Sequence, residues 1–64
     1  MTYYILRESL NDSKWVSDTI CLSMIKALRL QRKIIRYSSK CYKPVRGKKY
    51  KYECDDYNLE IIKK

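Results

Sequence analysis

Histidine is missing from this chain, which removes the side chain used most often as a general base and as a metal ligand. Glycine and proline occur once each, too few for a glycine-rich phosphate loop or a flexible linker. Cysteine is limited to Cys21, Cys41 and Cys54, with no CxxC pair. That odd, widely spaced set fits neither an even disulfide framework nor a zinc site completed within one chain, so free thiols in a reducing compartment are expected. No apolar run approaches the roughly 20 residues that span a bilayer. The first eight residues, Met1 to Glu8, lack the basic start and apolar stretch of a signal peptide. Together these absences predict a soluble cytoplasmic protein with no cofactor, no metal and no membrane partner.

Acids are the other scarcity, and their placement is informative. Fifteen Lys and Arg face seven Asp and Glu, for a net charge of +8. Residues 1–18 carry Arg7 and Lys14 against Glu8, Asp12 and Asp18, and residues 53–64 carry Lys63 and Lys64 against Glu53, Asp55, Asp56 and Glu60. Between them, residues 19–52 hold no acid and all eleven remaining cations. Such a block repels itself, and a polyanion is the simplest compensation.

At 64 residues the chain reads as one small domain, 1–64. It buries only about 60% of its unfolded surface, and a second copy is one way for so small a core to gain support. Tyr3-Tyr4-Ile5-Leu6 reads as a strand. The capping residues Asp12 and Ser13 then open a helix predicted to run to about Lys33. On a helical wheel Val16, Ile20, Cys21, Met24, Ala27 and Leu28 share an apolar arc opposite Lys14, Lys26, Arg29, Arg32, Lys33 and Arg36. Ser17 and Gln31 interrupt the apolar arc, and Trp15, Leu22 and Ile25 interrupt the basic side. Beyond Lys33 the period becomes alternating, with Ile35, Tyr37, Ser39 and Cys41 on one face of a strand. Pro44-Val45-Arg46-Gly47 reads as a hairpin loop, Lys48–Cys54 as a strand, Asp55-Asp56 as a turn and Tyr57–Ile62 as a last strand. The predicted fold is α+β: one long amphipathic helix on a small antiparallel sheet, in the order β-α-β-β-β.

Catalysis is not expected. Ser13, Ser17 and Ser23 have no base to activate them, and on a strand Glu53 and Asp55 would share a face while Asp56 points away, the Asp-Asp pair being explained by a turn. The chemistry-bearing set is instead cationic and aromatic: Lys26, Arg29, Arg32, Lys33, Arg36, Tyr37, Lys40, Tyr42, Lys43, Arg46, Lys48, Lys49, Tyr50, Lys51 and Tyr52. Cations neutralise phosphates and release counterions, and tyrosines stack on unpaired bases. A nucleic-acid-binding protein is predicted, RNA in preference to DNA and with little sequence specificity, because flexible lysines outnumber forking arginines. The alternative is an inhibitor or regulator whose basic face docks on an enzyme or DNA-binding protein without RNA, with Trp15 as a candidate anchor.

Short length, abundance of Lys, Ile and Tyr and near-absence of Gly and Pro give the chain a composition that resembles the small accessory proteins of large lytic phages. Those proteins serve host takeover and counter-defence, some as antitoxin-like antagonists of RNase toxins. The resemblance implies a phage-type inhibitor in the host cytoplasm, with a nuclease toxin as a protein partner.

Overall fold

The computed structural model of the chain describes residues 2–11 and 14–64. Six elements follow in order: β1 (Tyr4–Leu10), β2 (Val16–Cys21), α1 (Met24–Tyr37), β3 (Lys43–Pro44), β4 (Lys51–Cys54) and β5 (Tyr57–Lys63). The strands form one antiparallel sheet in the order β2-β1-β5-β4-β3, and α1 packs over β1, β5 and β2. The fold is α+β, as expected, with an element order of β-β-α-β-β-β rather than β-α-β-β-β. Among the described residues no helix is long and apolar enough to cross a membrane.

The difference lies at residues 16–21, expected to be helical and found as β2. Val16, Thr19 and Ile20 are β-branched and Ser17 and Asp18 are weak helix formers, so local preference opposes a helix there. Val16 and Ile20 are four apart, a spacing that puts them on one side of a helix and equally on one face of a strand. Pairing with β1 decides between the two, setting Asp18 opposite Arg7 and Ile20 opposite Ile5. Asp12 and Ser13, the expected helix start, lie outside the described residues.

The helix begins instead after Ser23, whose backbone is extended and whose Oγ accepts from the Lys26 amide at 3.2 Å. It runs 14 residues, about 21 Å at 1.5 Å per residue. The strand expected through Ile35, Tyr37, Ser39 and Cys41 does not form. Ala27, Leu30, Gln31 and Ile34 keep helical spacing on the buried side, and the helix persists to Tyr37 because its packing does. The Ser38 amide then closes it on the Ile34 carbonyl at 2.8 Å.

Register assigns the two faces of the sheet. Under α1 lie Leu6, Leu59, Ile61, Tyr52, Cys54 and Tyr57, joined by Tyr42 from the segment after the helix. Leu59 and Ala27 are fully buried and Leu6 nearly so. The opposite face carries rows of unlike character. Ile20, Ile5 and Ile62 stand side by side across β2, β1 and β5; one row along stand Asp18, Arg7, Glu60 and, on β4, Lys51. Arg7 forks onto Asp18 with Nε–Oδ1 2.8 Å and Nη2–Oδ2 2.9 Å, which holds the Asp18 carboxyl below its usual range.

The loop after β3 turns at Arg46 and Gly47 as expected, but Pro44, expected in the loop, is the last residue of β3. Gly47 sits at φ 83°, a conformation glycine adopts freely, and Asp55 takes φ 52° in the β4–β5 turn. The strand after the loop starts at Lys51, not Lys48, because Lys49 and Tyr50 make a further turn.

Candidate nucleic-acid interface

Helix α1 has two chemically distinct sides. Its inner side is fixed by Ala27, Leu30, Gln31 and Ile34. Its outer side therefore consists of Ile25, Lys26, Arg29, Arg32, Lys33, Arg36 and Tyr37, all exposed. Arg29, Arg32, Lys33, Arg36 and Tyr37 together line a shallow depression of about 360 Å³. Tyr37 is 74% exposed, so its ring is offered to solvent beside the arginines rather than packed away.

No acid lies anywhere in the helix, and none occupies its first turn, where a carboxylate would favour the helix dipole. Among the described residues the one salt bridge is Arg7–Asp18, on the other face of the sheet. Lys26–Arg29, Arg29–Arg32 and Lys33–Arg36 stand three apart, and Arg29–Lys33 and Arg32–Arg36 four apart, so five like-charge neighbours oppose the helix. The fold tolerates an unfavourable charge arrangement here.

A second group comes from the segment between β3 and β4. Arg46, Lys48 and Lys49 are exposed there, and Tyr50 is 40% exposed. The buried Gln31 side chain donates to the Tyr50 carbonyl at 3.0 Å and ties this arm to α1. Gln31, which interrupts the apolar arc of the sequence, is thus the buried polar link between the helix and this arm. Lys48, Lys49, Tyr50 and Lys51 line another depression of about 300 Å³, beside Glu60.

The remaining predicted residues lie elsewhere. Tyr42 is only 8% exposed and belongs to the core; its hydroxyl donates to Glu8 Oε2 at 2.6 Å. Burial, reinforced by that bond, pushes the Tyr42 hydroxyl well above the ordinary tyrosine range. Tyr52 packs against the same core, so neither ring is offered for stacking. Lys40 sits over the Tyr57 ring at 4.2 Å from its centre. Lys43 and Lys51 face Glu53 and Glu60 on neighbouring strands, where acids temper their charge. Glu53 and the turn residues Asp55 and Asp56 do not converge: among the described residues no three His, Cys, Asp or Glu side chains gather as an ion-holding group.

Charge is therefore sorted by element. Among the described residues carboxylates lie on the strands and turns, and the cations of α1 stand on its outer side with no acid in the helix. Comparisons with protein families, with curated proteins and with solved structures find no match to this chain.

Proposed function

We propose that the outer side of α1, extended by the arm at residues 46–50, binds the phosphate backbone of nucleic acid, RNA in preference to DNA and with little sequence selectivity. One observation carries the reading: four cations surround an exposed tyrosine on an acid-free helix. Phosphates would be met by Arg29, Arg32, Lys33 and Arg36, and an unpaired base would stack on Tyr37. Single-stranded RNA suits this arrangement because a base must be splayed out to reach the ring. No catalytic step is assigned; the chemistry is neutralisation and stacking.

A second reading is favoured by Ile25, 64% exposed at the start of the basic stripe. An apolar residue aligned with arginines suits an acidic protein surface, as an inhibitor of a nuclease toxin or other enzyme would require. Titration of labelled mixed-sequence single-stranded RNA at several salt concentrations separates the two. Phosphate binding predicts a linear fall of log K with log salt. Tyr37→Ala should weaken binding about 5- to 150-fold, equivalent to about 1–3 kcal/mol for one stacked base, and leave the salt slope intact. A flat salt response would reject phosphate neutralisation.

A further inference from the structure

The two edges of the sheet are treated differently. β3, at one edge, is two residues long and consists of a lysine and a proline, features that discourage strand pairing. β2, at the other edge, is six residues long, without proline or a basic side chain, and exposed at every residue but Cys21. Its free hydrogen-bonding groups follow from the ladder. Tyr3 and Lys64 exchange both backbone bonds, at 3.3 and 2.8 Å, so odd-numbered residues of β1 bond toward β5 and even-numbered ones toward β2. The Leu10 amide, donating to the Trp15 carbonyl at 3.4 Å, obeys the same alternation. Ser17 and Thr19, opposite Glu8 and Leu6, are therefore tied to β1. Val16, Asp18 and Ile20 turn their N–H and C=O groups outward.

We infer that β2 pairs antiparallel with β2 of a second copy of this chain, extending the sheet to ten strands across a two-fold axis normal to it. A strand meeting its own copy in this sense places N–H opposite C=O at each outward residue, so the edge is complementary to itself. Charge selects the same place. Each copy carries +8, yet residues 15–25 contain one charged side chain, Asp18, which Arg7 already neutralises. Two cationic chains meet there with least repulsion. Apolar contact adds to the bonds, since Ile20, 67% exposed, continues the Ile5 and Ile62 row on the open face, and Val16, 50% exposed, stands on the same face opposite Ser9. A continuous sheet keeps like faces together, so both α1 helices stand on one side and present their basic surfaces in the same direction.

The test needs no nucleic acid and is independent of the RNA reading. Sedimentation equilibrium over a dilution series, paired with residue-resolved amide exchange, is the experiment. The expected result is a mass rising from 7.8 kDa to twice that value. Amides of Val16, Asp18 and Ile20 should become protected in step with the dimer, while Ser17 and Thr19 are protected throughout. Ile20→Lys, at an exposed position, should be folded by circular dichroism and monomeric. The inference is overturned if the wild type stays monomeric with those three amides fast, if a dimer forms in which they remain fast, or if folded Ile20→Lys dimerises as before. Should Ile20→Lys unfold, the wild-type exchange pattern decides alone.

Discussion

Replacing Arg29, Arg32 and Lys33 by glutamine should weaken RNA binding and stabilise the protein at once. All three side chains are exposed on the outer side of α1, and glutamine matches them closely in helix preference, so no packing is lost. The change removes all five like-charge pairs along the helix, each opposing it by about 0.2–0.5 kcal/mol, and keeps Arg36 in the last turn, where a cation favours the helix dipole. The expected gain is about 1–2.5 kcal/mol. For a domain of this size each kcal/mol raises the melting temperature by about 4–8 °C. Three lost phosphate contacts should also reduce the salt slope on a single strand by up to about 2. Thermal melts followed by circular dichroism, with RNA titrations at several salt concentrations, read both quantities. A variant that melts lower, or that binds RNA with an unchanged salt slope, would refute the reasoning that this helix gives up stability to hold a phosphate-binding surface.

Two further predictions concern the scaffold. Tyr42 has a hydroxyl raised in the folded state, so its contribution is complete below the unfolded tyrosine value near 10 and is lost as pH rises beyond it. Unfolding free energies from urea titrations should fall above pH ~10, by up to about 1.4 kcal/mol per pH unit, and Tyr42→Phe should flatten that fall while costing about 1 kcal/mol at neutral pH; an equally steep fall in the variant would exclude Tyr42 as its source. Cys21, Cys41 and Cys54 are all free, so melts with and without reductant should superimpose, and a lower melting temperature on reduction would contradict the reading.

The strands that alternate cleanly were legible in the sequence. Tyr52 and Cys54 against Lys51 and Glu53, the Asp55-Asp56 turn and the return through Ile61 all emerge from period two and turn chemistry. β2 was not, because Val16 and Ile20 satisfy both periods and the deciding contact, Arg7 with Asp18, lies eleven residues away in sequence. The helix start was available in Ser23, a capping residue, but with no glycine or proline near it the wheel runs through unbroken. Of the acid-free stretch, eight of the eleven cations lie on the outer side of α1 and the arm at residues 46–50, while Lys40, Lys43 and Lys51 lie beside Tyr57, Glu53 and Glu60. Which tyrosines are exposed was not legible. Tyr37 and Tyr50 are exposed while Tyr42 and Tyr52 are in the core, a division set by which side chains the sheet and helix enclose. Glu8 and Tyr42, 34 residues apart, meet only in the folded chain.

The central claim, that phosphates meet the outer side of α1, is tested most directly by following backbone amide resonances while mixed-sequence single-stranded RNA is added. The shifts should concentrate in residues 25–37 and 46–50, with the β2 edge and the Arg7–Glu60 row little changed. Shifts centred on β1, β2 and the open face of the sheet, with the helix silent, would contradict the account.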